Sequence, residues 1–156
     1  LYTGMRQISV LRAKRKHFDF EEAIWYRQAE KSDDRVLRLP LPSQALDLFQ
    51  SVASESLMQP NSLVIPSVYN PHQEMSEGAI CQALKRMQFD MVGHGIRGLV
   101  STSLNELGFL PHIVEAQLGH KVRNQVEAAY NKAEYFDERR KMMQDWADYL
   151  DSLRGK

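Results

Sequence analysis

The stretch GHGIRGLVST at residues 93–102 places a histidine and an arginine three positions apart. Apolar residues recur from Ile96 onward at helical spacing, so the pair is predicted to lie at a helix N-terminus. Free backbone N–H groups and the helix dipole favour an anion there, and Arg97 offers a planar fork that fits two phosphate oxygens. His94 can donate to the same group or move a proton near neutral pH. The pair suits phosphate chemistry, although such a pair alone is more often structural. The alternative is a histidine that caps the helix beside a surface arginine.

Four further side chains that can act on a phosphate are spread along the chain. They are Arg6 in the first predicted helix, Lys31 in a predicted hairpin, His120 directly after a predicted helix end, and Tyr130 within AAYNKAEY. In this order and spacing the sequence resembles the catalytic domain of tyrosine recombinases, the phage-integrase family. In detail it is most similar to integrases of satellite phages and genomic islands, through MSEGAICQALKRM, HGIRGLVSTSLNELGF, IVEAQLGHKVRNQVEAAYNKAEY and RRKMMQDWADYLD. The resemblance covers essentially the whole chain.

The resemblance implies site-specific DNA recombination, which integrates or excises a mobile element through a covalent intermediate. Tyr130 would attack the scissile phosphate, form a 3′-phosphotyrosyl bond and free a 5′-hydroxyl, and a 5′-hydroxyl from another strand would reverse the step. Arg6 and Arg97 would stabilise the charge that develops on the phosphate oxygens, as metal ions do in nucleases. Because the bond energy stays in the intermediate, the resemblance implies no metal, no ATP and no other cofactor.

The resemblance also assigns the residues that handle protons. Lys31 would protonate the departing 5′-oxygen, and His94 would assist proton transfer at the attacking oxygen. His120 would hydrogen-bond a phosphate oxygen. The alternative for Lys31 is a solvated turn lysine, with Arg35 and Arg38 as the other cations nearby. The alternative for His120 is a cap on the helix that precedes it.

Two tyrosines compete for the role of nucleophile. Tyr130 lies ten residues beyond His120, close to the separation usual in the family, whereas Tyr135 lies fifteen beyond. Five residues on a helix rotate a side chain by about 140°, so the two hydroxyls are expected to point in different directions. The prediction is therefore Tyr130. The alternative is a buried helical tyrosine with a hydrogen-bonded hydroxyl.

Two positions depart from the family pattern. Ser9 stands where the family usually has a glutamate that supports the first arginine, which bears on how firmly Arg6 is held. Arg15, within the run RAKRK, stands near the place of a frequent tryptophan. Neither change removes a reacting group.

Hydropathy periods predict a mainly α fold with a small antiparallel sheet (α+β). Two strand-like runs, ending near 28 and covering 35–42, form a predicted hairpin around EKSDD at 30–34. Helices are predicted up to about residue 15, from Ser43, from Ser76, over 93–107, from Pro111 to Gly119, and over 124–153, with a loop at 57–75. The predicted inward positions include Leu46, Phe49, Ile80, Leu84, Met87, Leu99, Val100, Leu104, Leu107, Met142, Trp146, Tyr149, Leu150 and Leu153.

Length and composition limit the remaining choices. A chain of 156 residues predicts one domain with a real core. The single cysteine, Cys81, cannot form an internal disulfide and indicates a reducing compartment. No signal peptide or apolar run of membrane-spanning length is visible, so we expect no membrane partner. The resemblance implies a bacterial, cytoplasmic, DNA-associated protein. The formal net charge is zero, but basic residues gather in 6–38 and 121–141 and are absent from 41–75. Those runs are either a DNA-facing surface or ordinary solvated faces.

The resemblance implies double-stranded DNA at attachment sites as partner, bound by a homotetramer. The chain opens with Leu1 rather than an initiator methionine, so we expect a fragment. Residues 1–156 are interpreted as the catalytic, C-terminal domain of an integrase, with the upstream core-binding and arm-binding domains absent from this chain. Such a fragment should bind DNA weakly and with little selectivity.

Four other functions remain open from sequence alone. The fold could serve a catalytically weakened DNA-binding regulator, or a type IB topoisomerase-like enzyme that releases and reseals one strand. A metal site could draw on Cys81, His94, His112 and His120, or on Asp33-Asp34, although no pair has finger-like spacing. The apolar face of Met142, Met143, Trp146 and Tyr149 could dock onto a neighbouring copy, or it could complete the chain's own core.

Overall fold

The computed structural model describes residues 1–28, 36–55, 59–89, 93–120 and 134–154. Within these ranges the fold is mainly α with one small antiparallel sheet, so the predicted fold class is confirmed. The elements in chain order are α1 (Gln7–Leu11), a 3-10 turn (Arg15–His17), β1 (Phe18–Asp19), β2 (Ile24–Gln28), β3 (Val36–Pro40), α2 (Ser43–Glu55), α3 (Glu77–Arg86), α4 (Gly93–Glu106), α5 (Pro111–Leu118) and α6 (Phe136–Leu153).

The sheet has the order β1-β2-β3, with both pairings antiparallel. Trp25 of β2 pairs with Leu39 of β3, and both side chains are almost fully buried. This pairing confirms the predicted hairpin strands, while the connecting residues 29–35 lie outside the described residues. The two-residue strand β1 was not predicted, because so short a run carries no alternation signal.

Two apolar clusters form the core. The first lies on the sheet, where Phe18 stacks on Trp25 at 5.4 Å between ring centroids and contacts Phe49 at 4.9 Å. The second joins α4, α5 and α6, and its buried members are Val100, Leu104, Ile113, Val114, Leu118, Met142, Met143 and Trp146. Met142, Met143 and Trp146 therefore complete the chain's own core, as one of the two predictions for that face expected. Tyr149 is 41% exposed.

Several predicted boundaries and inward positions are wrong. The first helix ends at Leu11, since the chain then runs extended and Val64 N–H donates to the Ala13 carbonyl at 2.9 Å. Met87 is exposed because α3 ends before it and Met87 is its C-cap. Leu99 on α4, Leu107 directly after α4 and Leu153 on α6 are exposed.

The last predicted helix does not run unbroken over 124–153. Residues 121–133 lie outside the described residues, and α6 begins only at Phe136. Tyr135, its N-cap, has a left-handed backbone with φ of 46°, which no helix interior accommodates. Sequence periodicity cannot detect this interruption, since a left-handed tyrosine is rare and leaves the apolar spacing intact.

The described helices include none that is both long and apolar enough to cross a bilayer.

Candidate active site

Arg97 is the centre of the candidate site. It lies on the buried side of α4, only 5% exposed. Its Nη1 donates to the carbonyl oxygen of Gly4 at 3.3 Å, and its Nη2 donates to the carbonyl oxygen of Leu118. Burying a guanidinium is costly unless its N–H groups are satisfied, and these two carbonyls supply acceptors. The alternative interpretation of Arg97 as a surface arginine is therefore wrong.

The two acceptors bring other candidate residues toward Arg97. Gly4 stands two residues before Arg6, and Leu118 stands two residues before His120. One guanidinium thus ties the segment that carries Arg6 to the helix end that carries His120. The structure brings these three predicted segments together, although they are far apart in sequence.

Gly4 permits this close approach. Its φ is +63°, and a Cβ there would lie 3.0 Å from Leu118 Cδ2 and 3.2 Å from Val100 Cγ1. A side chain would therefore push the N-terminal segment away from α4 and α5, and with it one acceptor of Arg97.

Arg6 is half-buried and directly precedes α1. Its carbonyl accepts bonds from the backbone N–H groups of Ser9, at 3.0 Å, and Val10, at 3.3 Å. Where the family usually has a supporting glutamate, Ser9 contributes its main chain to this turn. The backbone around Arg6 is thus held by the first turn of α1.

His120 is fixed at the end of α5 by two contacts with Glu115. Its backbone N–H donates to the Glu115 carbonyl at 3.1 Å, and its Nδ1 lies 2.5 Å from Glu115 Oε2. Gly119, with φ of +66°, makes the left-handed turn that brings the histidine back over the helix end. With Nδ1 held by the carboxylate, Nε2 is the ring nitrogen that faces away from Glu115 and can serve a phosphate oxygen.

A second buried arginine, Arg27 of β2, lies between the same segments. Its Nη1 donates to Met5 Sδ at 3.9 Å, and a Cβ built on Gly119 would lie 3.7 Å from that nitrogen. Arg27 is 6% exposed. Positive charge is therefore concentrated where the N-terminal segment, β2 and the end of α5 meet, which suits an anionic ligand.

Arg139 is a third buried arginine, at the start of α6. Its Nε donates to the Glu134 carbonyl at 2.7 Å, and its Nη1 donates to the Arg38 carbonyl at 2.9 Å and to Gln117 Oε1 at 3.4 Å. Burial lowers the pKa of Arg139 from its usual value, and the nearby Glu134 carboxylate opposes that shift. This side chain joins α6 to β3 and α5.

The sequence prediction missed Glu115, Arg27 and Arg139. Glu115 could have been found, because a glycine at a helix end places the next residue over the last turn. Arg27 reads as an outward polar residue of an alternating strand, and Arg139 as one member of a charged run. Their burial depends on tertiary contacts that carry no local signal.

Three predicted residues cannot be placed. Lys31 and Tyr130 lie outside the described residues, as do Arg35 and Asp33-Asp34. The backbone of His94 lies in the first turn of α4, but its side chain is also outside the described residues.

Tyr135 and Arg38, the alternative residues, have other contacts. The Tyr135 ring packs against His112, with centroids 4.8 Å apart, and against the second core cluster. Arg38 pairs with Glu134 at 3.5 Å and lies over the Phe136 ring at 4.5 Å.

No three His, Cys, Asp or Glu residues come together as a metal site within the part of the chain that the structure describes.

Comparison with known proteins gives a consistent result. The phage integrase family model matches residues 1–136. Prophage integrase IntA of Escherichia coli K12 is 35% identical over 153 residues, which cover 96% of this chain and 37% of that protein. The integrase of Enterobacteria phage P4 is 33% identical over 175 residues, which cover 100% of this chain and 39% of that protein. The chain therefore spans well under half the length of either integrase.

Solved structures share the fold. The integrase from mycobacterium phage Brujita superposes with a TM-score of 0.68 at 20% identity, over 92% of this chain and 47% of that chain. The XerA recombinase superposes with a TM-score of 0.65 at 16% identity, over 94% of this chain and 54% of that chain. On the match to the family model, supported by these relatives, the chain belongs to the phage integrase family.

Proposed function

We propose that this chain is the catalytic domain of a tyrosine recombinase that cleaves and rejoins DNA strands during site-specific recombination. The observation that carries the proposal is the pair of bonds from Arg97 to the carbonyls of Gly4 and Leu118. They gather the segments of Arg6, Arg97 and His120 at one place, in a chain of the phage integrase family.

The proposed chemistry is a phosphoryl transfer in which the energy of the phosphodiester bond is kept in a phosphotyrosyl bond. The Tyr130 hydroxyl attacks the scissile phosphorus, the new P–O bond forms, and the bond to the 5′-oxygen breaks. The tyrosine proton passes to His94, and Lys31 gives a proton to the departing 5′-oxygen. A 5′-hydroxyl from a second strand then attacks the phosphotyrosine and restores the phosphodiester.

Charge stabilisation falls to Arg6, Arg97 and His120. Arg97 is held by two backbone carbonyls, so the plane of its guanidinium is fixed before substrate binds. Donors that need no reorganisation stabilise developing charge most effectively. His120, held at Nδ1 by Glu115, presents Nε2 to a nonbridging phosphate oxygen.

The contacts of Tyr135 support Tyr130 as the nucleophile. The Tyr135 ring is engaged with His112 and the second core cluster, and its carbonyl accepts the N–H of Arg139 at 2.9 Å. Moving this ring to a phosphate would remove packing from α5 and α6.

The proposed partner is double-stranded DNA at the attachment sites of a mobile element, bound in the bacterial cytoplasm by a homotetramer. The upstream core-binding and arm-binding domains of the integrase are proposed to supply tight, sequence-selective binding. The greater length of the relatives, of which this chain covers 37% and 39%, leaves room for such further domains.

A nicked DNA substrate tests the proposal. The nick is placed so that the fragment with the freed 5′-hydroxyl diffuses away, and the reaction contains EDTA and enough protein to saturate the DNA. We expect a protein–DNA adduct on a denaturing gel, lost in Tyr130→Phe and kept in Tyr135→Phe. Loss only in Tyr135→Phe would reassign the nucleophile. Absence of any adduct at saturation, or an activity abolished by EDTA, would overturn the proposal.

A further inference from the structure

Arg139 binds three acceptors from three separate parts of the chain. They are the carbonyl of Glu134 just before α6, the carbonyl of Arg38 in β3, and the side-chain oxygen of Gln117 in α5. The side chain is 3% exposed. A guanidinium spreads its donors over several nitrogens in a fixed plane and so can satisfy such widely separated acceptors at once, whereas an ammonium has all its donors on one nitrogen.

The neighbouring Arg140 shows that this arrangement is specific to one position. Arg140 has the same side chain as Arg139 and lies on the same helix. It is nevertheless exposed, and its Nη2 donates to the Glu22 carbonyl at 3.0 Å. Because a buried guanidinium is costly and an apolar side chain could fill the space, the contacts of Arg139 point to positioning rather than to stability alone.

Each acceptor of Arg139 lies next to a proposed catalytic element. Glu134 follows Tyr130 by four residues, and Gln117 precedes His120 by three. Arg38 belongs to β3, the strand that leaves the hairpin of Lys31. In sequence, the tyrosine-bearing stretch lies between two residues with fixed contacts. They are His120, held by Glu115, and Glu134, whose carbonyl accepts from Arg139.

We propose that Arg139 is a positioning residue, which anchors the downstream end of the tyrosine-bearing stretch and so sets how readily Tyr130 reaches the scissile phosphate. The inference rests on the proposed function. It assigns Arg139 no contact with DNA, so its loss should slow the attack by tyrosine and leave DNA affinity unchanged. A displacement of about 1 Å in a reacting group costs on the order of 100-fold in rate.

The test compares two nucleophiles on the same phosphate. In the first reaction, Tyr130 attacks and the adduct is measured under single-turnover conditions. In the second, the chain carries Tyr130→Phe and hydrogen peroxide is supplied as the nucleophile. A peroxide oxygen attacks phosphorus, the bond to the 5′-oxygen breaks, and that oxygen leaves with a proton. The second reaction needs the phosphate-binding residues but not the anchoring of the tyrosine.

We expect Arg139→Met to slow the tyrosine reaction by on the order of 100-fold and to leave the peroxide reaction unchanged. Arg140→Met, the matched control, should affect neither. Equal losses in both reactions would show that Arg139 merely supports the fold, and an unslowed tyrosine reaction would show that it positions nothing. Either result overturns the inference.

Two further measurements keep the test decisive. If Arg139→Met does not fold by circular dichroism, Arg139→Lys replaces it, because a lysine keeps the charge but not the planar fork. The rate loss in Arg139→Lys should be smaller than in Arg139→Met and again confined to the tyrosine reaction. If the unsubstituted chain forms no adduct and Tyr130→Phe cleaves no DNA with peroxide, the proposed function itself has failed, which is a distinct result.

Discussion

His120 is held twice by Glu115, through its backbone N–H at 3.1 Å from the carbonyl and through its Nδ1 against the carboxylate. The carboxylate therefore orients a ring whose backbone is already fixed by the turn at Gly119. In the proposed mechanism this contact directs Nε2 toward the phosphate.

Glu115→Gln should lower the rate of adduct formation by on the order of 10-fold. Glutamine keeps the shape and one acceptor, but it loses the charge that fixes the imidazole. The unfolding free energy should change little, because both side chains are substantially exposed. Single-turnover rates measure the effect. If the loss persists in a chain that already carries His120→Ala, Glu115 acts by another route.

Arg97→Lys should abolish detectable adduct and destabilise the fold. A lysine ammonium cannot reach the carbonyls of both Gly4 and Leu118 in the planar geometry of a guanidinium, so a buried carbonyl loses its partner. We expect a cost of about 1–3 kcal/mol in unfolding free energy, measured by urea titration. Arg12→Lys is the control, because Arg12 is exposed and pairs with the exposed Glu74. Equal stability of the two variants would refute the buried role of Arg97.

Sequence and structure agree best where the signal is local. The helix of Arg97, the turn at Gly119 and the antiparallel pair of strands that contain Trp25 and Leu39 follow from periodicity and turn chemistry. The acceptors of Arg97 could not be predicted, since backbone carbonyls have no sequence signature.

The interruption at Tyr135 and the burial of Arg139 were likewise hidden. The apolar period continues through the break, and Arg139 stands beside an exposed arginine of the same type. Both features depend on how α6 meets β3 and α5, a long-range contact that a single sequence does not encode locally.

The stability of the fold should fall in mild acid because of His17. Burial lowers the pKa of His17, and the neighbouring Lys16 and Lys14 lower it further. Its Nδ1 accepts the backbone N–H of Lys14 at 3.1 Å, which only the neutral ring can do. The unfolded chain therefore takes up a proton more readily, and this contribution to stability is lost as pH falls below about 6.5.

His17→Asn separates this effect from other acid-labile groups. Asparagine keeps an acceptor close to the place of Nδ1 but does not titrate, so urea unfolding at pH 8 and pH 5 should differ less than in the parent chain. The pKa of Asp151 is lowered by its bonds with Tyr2 and Gln44, so Asp151 changes the unfolding free energy only at lower pH. An unchanged pH dependence in His17→Asn would exclude His17 as its source.

Gly4→Ala should both destabilise the fold and slow cleavage. The left-handed backbone at Gly4 strains any other residue, and the new methyl group would meet Leu118 and Val100 at 3.0 and 3.2 Å. We expect a loss of about 1–2 kcal/mol in unfolding free energy. Because the Gly4 carbonyl accepts from Arg97, the rate of adduct formation should also fall, measured under conditions where the variant remains folded.

Gly78→Ala is the matched control for this prediction. Gly78 lies in α3, its added Cβ meets nothing within 4 Å, and its backbone is not left-handed. Alanine there should leave stability unchanged or raise it by up to about 1 kcal/mol, since alanine is the better helix former. Urea titration of the two variants compares the same glycine-to-alanine change at a left-handed position, Gly4, and at a helical position, Gly78. If Gly4→Ala were as stable as Gly78→Ala and formed adduct at the parent rate, the close approach of the N-terminal segment to α4 and α5 could not be what holds Arg97 in place.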